Sequence, residues 1–227
     1  MKRSFPLAIL LTTIVIVVIF GVYVKRSGGH SEAVPSTSGP KLGNEPLPTT
    51  GADPANVRGP DNATVTLEEF ADFECPACGK FYPIMKSIEK EYGNRIRIVF
   101  REFPLSQHVH AMPAARAAEA AGKQGKFWEM HDLLYQDTET WTKAPNVLVQ
   151  FEEYATRLGL DVERFKHDQV TEDVKRRIML DHVRGVSMKL HSTPTLYLNG
   201  QEVPWEQMKS VDELRTLIEK ALTPPKG

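Results

Sequence analysis

The two cysteines of this 227-residue chain stand together, in the segment Cys75-Pro76-Ala77-Cys78. A hydrophobic stretch precedes the pair and an amphipathic stretch follows it, which predicts a position between a strand and a helix. At this spacing one sulfur can attack the disulfide of another molecule, while the other lies about one helical turn away and resolves the intermediate. The pair therefore indicates thiol-disulfide chemistry.

Metal binding is the main alternative for such a pair, and a purely structural pair is another. A zinc site needs two further ligands, usually a second cysteine pair or two suitably spaced histidines. The chain has no other cysteine, and its seven histidines are mostly scattered. His108 and His110 form a His-x-His pair with no third ligand nearby, so we interpret them as loop or helix-start residues. We expect no metal and no bound organic cofactor, because the redox group is the cysteine pair itself.

Residues 4–24 carry no charge and are rich in leucine, isoleucine and valine. At about 1.5 Å per residue, a helix of this length spans the roughly 30 Å hydrocarbon core of a membrane. No A-x-A-like cleavage site and no lipid-acceptor cysteine follows, which favours a retained anchor over a cleaved signal peptide. The sequence thus predicts a cytoplasmic tip and transmembrane helix in residues 1–24.

The surroundings of this span suggest which side of the membrane carries the rest of the chain. Basic residues flank the span almost equally, so they do not fix its orientation. A redox-active cysteine pair fits the extracytoplasmic side, where disulfides persist.

Residues 25–52 are rich in glycine, proline, serine and threonine and predict a flexible tether with a reach of about 30 Å. A net charge of −1 gives no basic face for nucleic acid.

Periodicity gives the order of elements after the tether. Alternating or β-branched residues predict extended segments at residues 64–70, 95–103 and 195–203. Asn199-Gly200 favours a type I′ turn in the last of these, which makes it a hairpin. Helical spacing predicts a helix from the cysteine pair to about Gly93, a wholly helical region in residues 106–190, and a final helix after the capping box that begins at Ser210. Within the helical region, Pro145 fits a first-turn position, and Asp161 and Thr171 are candidate N-caps.

This order, with a Cys-x-x-Cys at the first strand-to-helix junction, resembles the thioredoxin fold. The helical insertion makes the chain resemble the DsbA-type thiol oxidoreductases, particularly their membrane-tethered members. The resemblance covers roughly residues 55–222. It is carried by EEFADFECPACGKF (68–81), FREFPL (100–105), AARAAEAAGKQGKFWEMHDLLY (114–135) and STPTLYLNG (192–200).

The expected fold class is therefore α/β, a thioredoxin fold with an inserted helical domain. Residues 53–105 and 191–222 would form the thioredoxin-like domain, and residues 106–190 would form the insertion. The transmembrane helix and the tether would precede both.

The start of a helix favours an anion, so Cys75 is expected to be the nucleophile, with a lowered pKa. Cys78, one turn inside, is expected to be the buried resolving thiol. Pro76 would preorganise the first helical turn. Ala77 offers neither charge nor a side-chain hydrogen bond, and the best-known oxidants of the family have histidine there.

The resemblance also implies supporting residues away from the cysteines. Thr193 and Pro194 match a loop in which the proline is cis, faces the cysteine pair and leaves a backbone edge for an extended client peptide. Glu69 matches a buried carboxylate that passes a proton to or from the resolving thiol. The alternative for Glu69 is that it and Glu68 form a solvated strand end.

The function implied is the introduction of disulfides into exported proteins that contain cysteine pairs. A quinone-linked membrane partner, similar to DsbB or VKOR, would reoxidise the enzyme. Three alternatives remain at this point: a reductase or isomerase of the same fold, a tethered copper or zinc metallochaperone, and a chaperone that holds clients without turnover.

Overall fold

The computed structural model describes residues 49–223. In chain order its regular elements are β1 (Asn56–Arg58), β2 (Val65–Ala71), α1 (Pro76–Tyr92), β3 (Ile96–Glu102), α2 (Ala111–Gly122), α3 (Phe127–Gln136), α4 (Thr138–Trp141), α5 (Val147–Arg157), α6 (Val162–Val170), α7 (Glu172–Ser187), β4 (Thr195–Leu198), β5 (Gln201–Glu202) and α8 (Val211–Leu222). The predicted transmembrane span lies outside the described residues. Within residues 49–223, no helix is both long and apolar enough to cross a membrane.

The strands form one mixed sheet in the order β1-β3-β2-β4-β5. β2 and β3 are parallel and connected by α1, and every other neighbouring pair is antiparallel. The β4–β5 hairpin turns at Asn199 and Gly200, whose φ angles of 49° and 80° fit the type I′ turn predicted from the sequence. The parallel pair matters for function, because the chain segments that follow β2 and β3 leave the same edge of the sheet.

Helices cover both faces of the sheet. α1 and α8 pack on one face through a core that includes Leu67, Phe81 and Ile218. α7 lies on the opposite face, where Gly185 lets the helix approach Phe103 closely. A Cβ at Gly185 would lie 2.5 Å from the Phe103 ring, so no larger residue fits without a shift of the ring or the helix.

The helices between β3 and β4 pack into an apolar cluster that also contains Phe73, Phe100 and both cysteines. Trp141, Phe151 and Phe165 are fully buried there, packed against the alanine-rich helix α2. Asp161 and Thr171 cap α6 and α7 by accepting hydrogen bonds from backbone N–H groups, as predicted from the sequence. Pro145 was expected in the first turn of α5 but lies before it, because Asn146 supplies the cap.

The end of the predicted tether differs from expectation. Residues 49–52 were assigned to the flexible segment, yet Ala52 is only 2% exposed. The Ala52 N–H donates to Asp181 Oδ1 at 2.7 Å, and its carbonyl accepts from Arg101 Nη1 at 2.9 Å. Arg184 binds the carbonyl of Thr49. Side chains from distant parts of the chain hold this polar segment, which local composition does not reveal. Residues 25–48 of the tether lie outside the described part of the chain.

Candidate active site

The cysteine pair lies where the turn after β2 becomes helix α1. Cys75 is the N-cap residue, with extended backbone angles, and its N–H donates to the Asp72 carbonyl at 3.1 Å. Pro76 begins the helix, in the first-turn position where its missing N–H costs no helical hydrogen bond. Cys78 follows within the first turn. The sulfur of Cys75 therefore lies at the end of the helix where backbone N–H groups are unpaired and an anion is favoured.

The two thiols have opposite acidities. A hydrogen bond from the Cys78 thiol is the main reason that the pKa of Cys75 falls to about 5, and the backbone N–H groups of Cys78 and Ala77 add to it. Burial raises the pKa of Cys78 well above its usual value, and the neighbouring charge of Cys75 raises it further. The site is thus built to hold one thiolate and one thiol.

Both cysteines are largely buried. Cys78 is fully buried, as expected, but Cys75 is also only 7% exposed. Neither cysteine is in a disulfide.

Thr193 and Pro194 lie against Cys75, and the peptide bond between them is cis. The Cys75 sulfur is 3.4 Å from the Thr193 carbonyl oxygen. The Thr193 hydroxyl is buried and has no well-aligned partner among residues 49–223. After the Cys78 thiol, this hydroxyl also helps to lower the pKa of Cys75. The structure thus brings together the two segments that the sequence placed in one site.

A groove of about 280 Å³ opens beside this contact. Its lining includes Ala77, Thr193, Pro194, Thr195, Trp205 and Met208. Trp205 is 48% exposed, which is high for so large an apolar side chain. The groove has the position and the apolar wall that an extended polypeptide beside Cys75 requires.

Glu69 is a buried acid rather than part of a solvated strand end. It is 5% exposed, and burial raises its pKa to about 8, so the carboxyl group is mostly protonated at neutral pH. Glu69 lines a cavity of about 20 Å³ together with His131 and Tyr135, which is room for about one water molecule. Burial raises the pKa of Tyr135, and the charges of Cys78 and Glu69 raise it further.

The adjacent Glu68 has the opposite environment. It points to the other face of the sheet, where Arg101 Nε donates to its Oε1 at 2.8 Å and Arg184 Nη2 donates to its Oε2 at 2.8 Å. Burial alone would raise the pKa of Glu68, but these two guanidinium groups lower it. Glu68 is therefore a structural anion, and Glu69 is the acid on the α1 face of the sheet.

Two residues of the site were not predicted from the sequence as functional. Asp72 has a fully buried side chain, and His108 Nδ1 is 2.7 Å from its Oδ2. The order of elements could have placed them together, because Asp72 follows β2 and His108 follows β3. The ends of neighbouring parallel strands meet at one edge of the sheet. In residues 49–223, no group of three or more His, Cys, Asp or Glu side chains is arranged to hold a metal ion.

Comparison with known proteins identifies the fold and the family. A family model described as thioredoxin matches residues 52–220. The chain belongs to this thioredoxin family. A thioredoxin-like oxidoreductase from Silicibacter pomeroyi is 25% identical, with a TM-score of 0.63 over 74% of this chain and 91% of that one. BdbD from Bacillus subtilis is 24% identical, with a TM-score of 0.63 over 76% of this chain and 96% of that one.

The thioredoxin-family assignment confirms the resemblance inferred from the sequence. Wolbachia pipientis α-DsbA1 shares the fold at 17% identity, with a TM-score of 0.63 over 74% of this chain and 90% of that one. The chain thus has a thioredoxin-fold α/β structure with a mixed sheet.

Curated relatives of this thioredoxin-family chain include much longer proteins. The Na⁺/H⁺ antiporter NhaA 3 of Salinispora tropica is 40% identical over 150 residues, and NhaA 1 of Salinispora arenicola is 42% identical over 151 residues. The alignments cover 66% of this chain but 22% of each relative. The chain thus spans about a fifth of the length of these relatives.

The unequal acidities predict which cysteine reacts first. At pH 6, Cys75 is mostly thiolate, while Cys78 is almost entirely thiol. A less basic thiolate is intrinsically less nucleophilic, which offsets part of the difference and leaves an advantage of roughly tenfold or more for Cys75. Alkylation of the reduced protein with iodoacetamide, followed by peptide mapping, should therefore label Cys75 first. Equal labelling, or faster labelling of Cys78, would contradict the assignment.

Proposed function

We propose that this protein is a membrane-anchored thiol:disulfide oxidase that introduces disulfides into exported proteins through Cys75 and Cys78. The observation that carries the proposal is the position of Cys75 at the N-terminus of α1, where the Cys78 thiol and the N–H groups of Cys78 and Ala77 lower its pKa to about 5. A stabilised thiolate favours the reduced form of the enzyme, so its disulfide is a stronger oxidant. This acidity is reached with Ala77 between the cysteines, where the side chain contributes no charge.

The reaction begins with the Cys75–Cys78 disulfide and a client dithiol. A client thiolate attacks the Cys75 sulfur, the S–S bond breaks, and its electron pair passes to Cys78. The second client thiolate then attacks the client sulfur of the mixed disulfide, and Cys75 leaves as a thiolate. Two electrons have moved from the client to the enzyme, and the client holds a new disulfide. A pKa of about 5 makes Cys75 a good leaving group in the second step.

Glu69 is proposed to manage the proton of Cys78. When Cys78 receives the electron pair, it becomes a buried anion, which burial disfavours. Glu69 is protonated at neutral pH and can supply the proton. In reoxidation the proton moves the other way, because a Glu69 carboxylate can take it from Cys78. The Cys78 thiolate then attacks the Cys75 sulfur of the mixed disulfide with the reoxidising partner and displaces the partner's thiolate.

The remaining parts of the proposal concern location and partners. We propose that residues 1–24 anchor the protein in the cell membrane, with the cysteine pair on the extracytoplasmic side, where oxidised products persist. Clients would lie in the groove beside Pro194 as extended chains. A quinone-linked membrane protein, similar to DsbB or VKOR, would reoxidise the cysteine pair. The redox-active disulfide would serve without a bound cofactor. Antiporter activity is not part of the proposal, because the chain matches only about a fifth of the relatives that carry that name.

The reduction potential tests the proposal. Full-length protein is equilibrated with mixtures of reduced and oxidised glutathione, and the fraction of Cys75–Cys78 disulfide is measured at each ratio. An oxidase should have a potential much closer to the roughly −120 mV of a strong oxidant than to the roughly −270 mV of thioredoxin. Oxidation of a reduced client should occur at the same time and should be lost in Cys75→Ser. A potential near that of thioredoxin would favour the reductase alternative instead.

A further inference from the structure

Hydrogen bonds join His108 to the turn that presents Cys75. The Asp72 side chain is the centre of this arrangement. Its Oδ1 accepts from the Glu74 N–H at 2.8 Å, and its Oδ2 accepts from the Leu105 N–H at 2.9 Å and lies 2.7 Å from His108 Nδ1. The Asp72 carbonyl also accepts the N–H of Cys75. Asp72 therefore holds the imidazole through its buried carboxylate and the nucleophile through its backbone carbonyl.

A second contact holds the two loops together. Glu74 Oε2 accepts the backbone N–H of His110 at 2.5 Å. The segment after β3 is thus attached to the turn before α1 on both sides of His108. The His108 side chain keeps 19% exposure, so it lies at the rim of the site and not in the core.

The turn that presents Cys75 concentrates negative charge, which a nearby cation would offset. Asp72, Glu74 and the Cys75 thiolate place three acidic groups within four residues of the chain. In residues 49–223, His108 is the basic side chain in ion-pair contact with Asp72, and none contacts Glu74. Burial lowers the pKa of His108, but Asp72 and the charges of Cys75 and Glu74 raise it more, so its net direction is upward. The two groups are also joined through Asp72, since its carboxylate contacts the His108 ring and its carbonyl accepts the Cys75 N–H.

Other basic groups lie farther along the same surface. Arg116 on α2, Lys175 and His182 on α7, and His191 before β4 line a groove that His108 also lines. In the described part of the chain, none of these four makes a hydrogen bond or ion pair with Asp72 or Glu74. Arg116 and Lys175 contribute a general positive field, whereas His108 is held by a specific contact.

We propose that the imidazolium of His108, held by Asp72, is the electrostatic partner of the Cys75 thiolate. It supplies from the loop after β3 the positive charge that the Pro76-Ala77 pair lacks. The charge neutralises Asp72, stabilises the thiolate that leaves the mixed disulfide, and so makes the disulfide of this enzyme a stronger oxidant. The inference rests on Cys75 being the low-pKa nucleophile of the proposed function.

The test measures the pKa of Cys75 in full-length reduced protein. The rate of iodoacetamide labelling at Cys75 is followed across pH in the parent and in His108→Gln, His108→Lys and His191→Gln. Glutamine keeps an N–H donor for Asp72 but carries no charge. We expect the pKa of Cys75 to rise by about one pH unit in His108→Gln, at the lower end of the effect of a close opposite charge. His108→Lys should bring the pKa of Cys75 part of the way back toward its value in the parent. His191→Gln should leave that pKa unchanged.

The outcomes separate this inference from the proposed function. A parent protein with an ordinary Cys75 pKa would overturn both. A low pKa in the parent that is unchanged in His108→Gln would overturn the role of His108 alone. If His108→Lys gives the same pKa as His108→Gln, the effect is structural and the electrostatic account fails. Thermal unfolding of each variant checks the fold, because a merely structural residue would change stability without lysine restoring the pKa.

Discussion

Replacing Glu69 by glutamine should stabilise the oxidised protein at neutral pH, by about 2–3 kcal/mol. The Glu69 carboxyl is neutral in the fold up to about pH 8, but it ionises near pH 4.3 in the unfolded chain. Between these values ionisation favours the unfolded state, so the native protein loses stability as pH rises. Glutamine removes this ionisation. The gain should be absent below about pH 4 and largest near pH 8, as measured by urea unfolding at several pH values.

Glu68 provides the matched control at the next position of the same strand. Glu68→Gln should destabilise the protein at neutral pH, by about 2–3 kcal/mol, because it leaves Arg101 and Arg184 without their shared carboxylate. This is less than the roughly 3–5 kcal/mol for breaking a fully buried pair, because the Arg184 side chain is 26% exposed. Since the pKa of Glu68 is lowered in the fold, its stabilising effect is present above the unfolded pKa and is lost in acid. Effects of the same sign in both variants would contradict the assignment of the two carboxyl groups.

The sequence could separate these two glutamates only in part. Alternation along a strand places neighbouring residues on opposite faces of a sheet, so Glu68 and Glu69 had to face different surroundings. Both faces of β2 are covered, however, and each glutamate is buried. What distinguishes them is a pair of guanidinium groups from β3 and α7. Those partners are 33 and 116 residues away in the chain, and no local pattern reports them.

Elements with strong local signals were predicted well. The Asn199-Gly200 turn and the caps at Asp161 and Thr171 depend on nearby residues only, and all are present. The short edge strand β1 was missed, because three residues are too few to show alternation. The contact of His108 with Asp72 was missed for a different reason. Strand order brings their loops together, but the path of each loop decides which side chains meet.

The reduced enzyme should become more stable than the oxidised enzyme as pH rises from about 5 to about 8.5. The Cys75 thiol has a pKa of about 5 in the fold and about 8.5 in the unfolded chain, so its anion favours the native state over this range. The stabilisation is fully present near pH 8.5 and is lost as pH falls to 5. The ideal slope is about 1.4 kcal/mol per pH unit. Solvent near the partly accessible sulfur screens this effect and reduces the total stabilisation of the reduced native state to about 3 kcal/mol.

The oxidised protein is the internal reference for this effect, because its disulfide has no thiol to ionise. Glu69 is present in both forms, so its own pH dependence largely cancels in the difference between their free energies of unfolding. Cys78 acts in the opposite sense, because its raised pKa makes the unfolded chain ionise first above about pH 8.5. The difference between reduced and oxidised protein should therefore peak near that pH and then fall. Reduced Cys75→Ser should lack the rise between pH 5 and 8. A flat difference over that range would show that the fold does not hold the thiolate, and the oxidising power proposed for this site would then lose its physical basis.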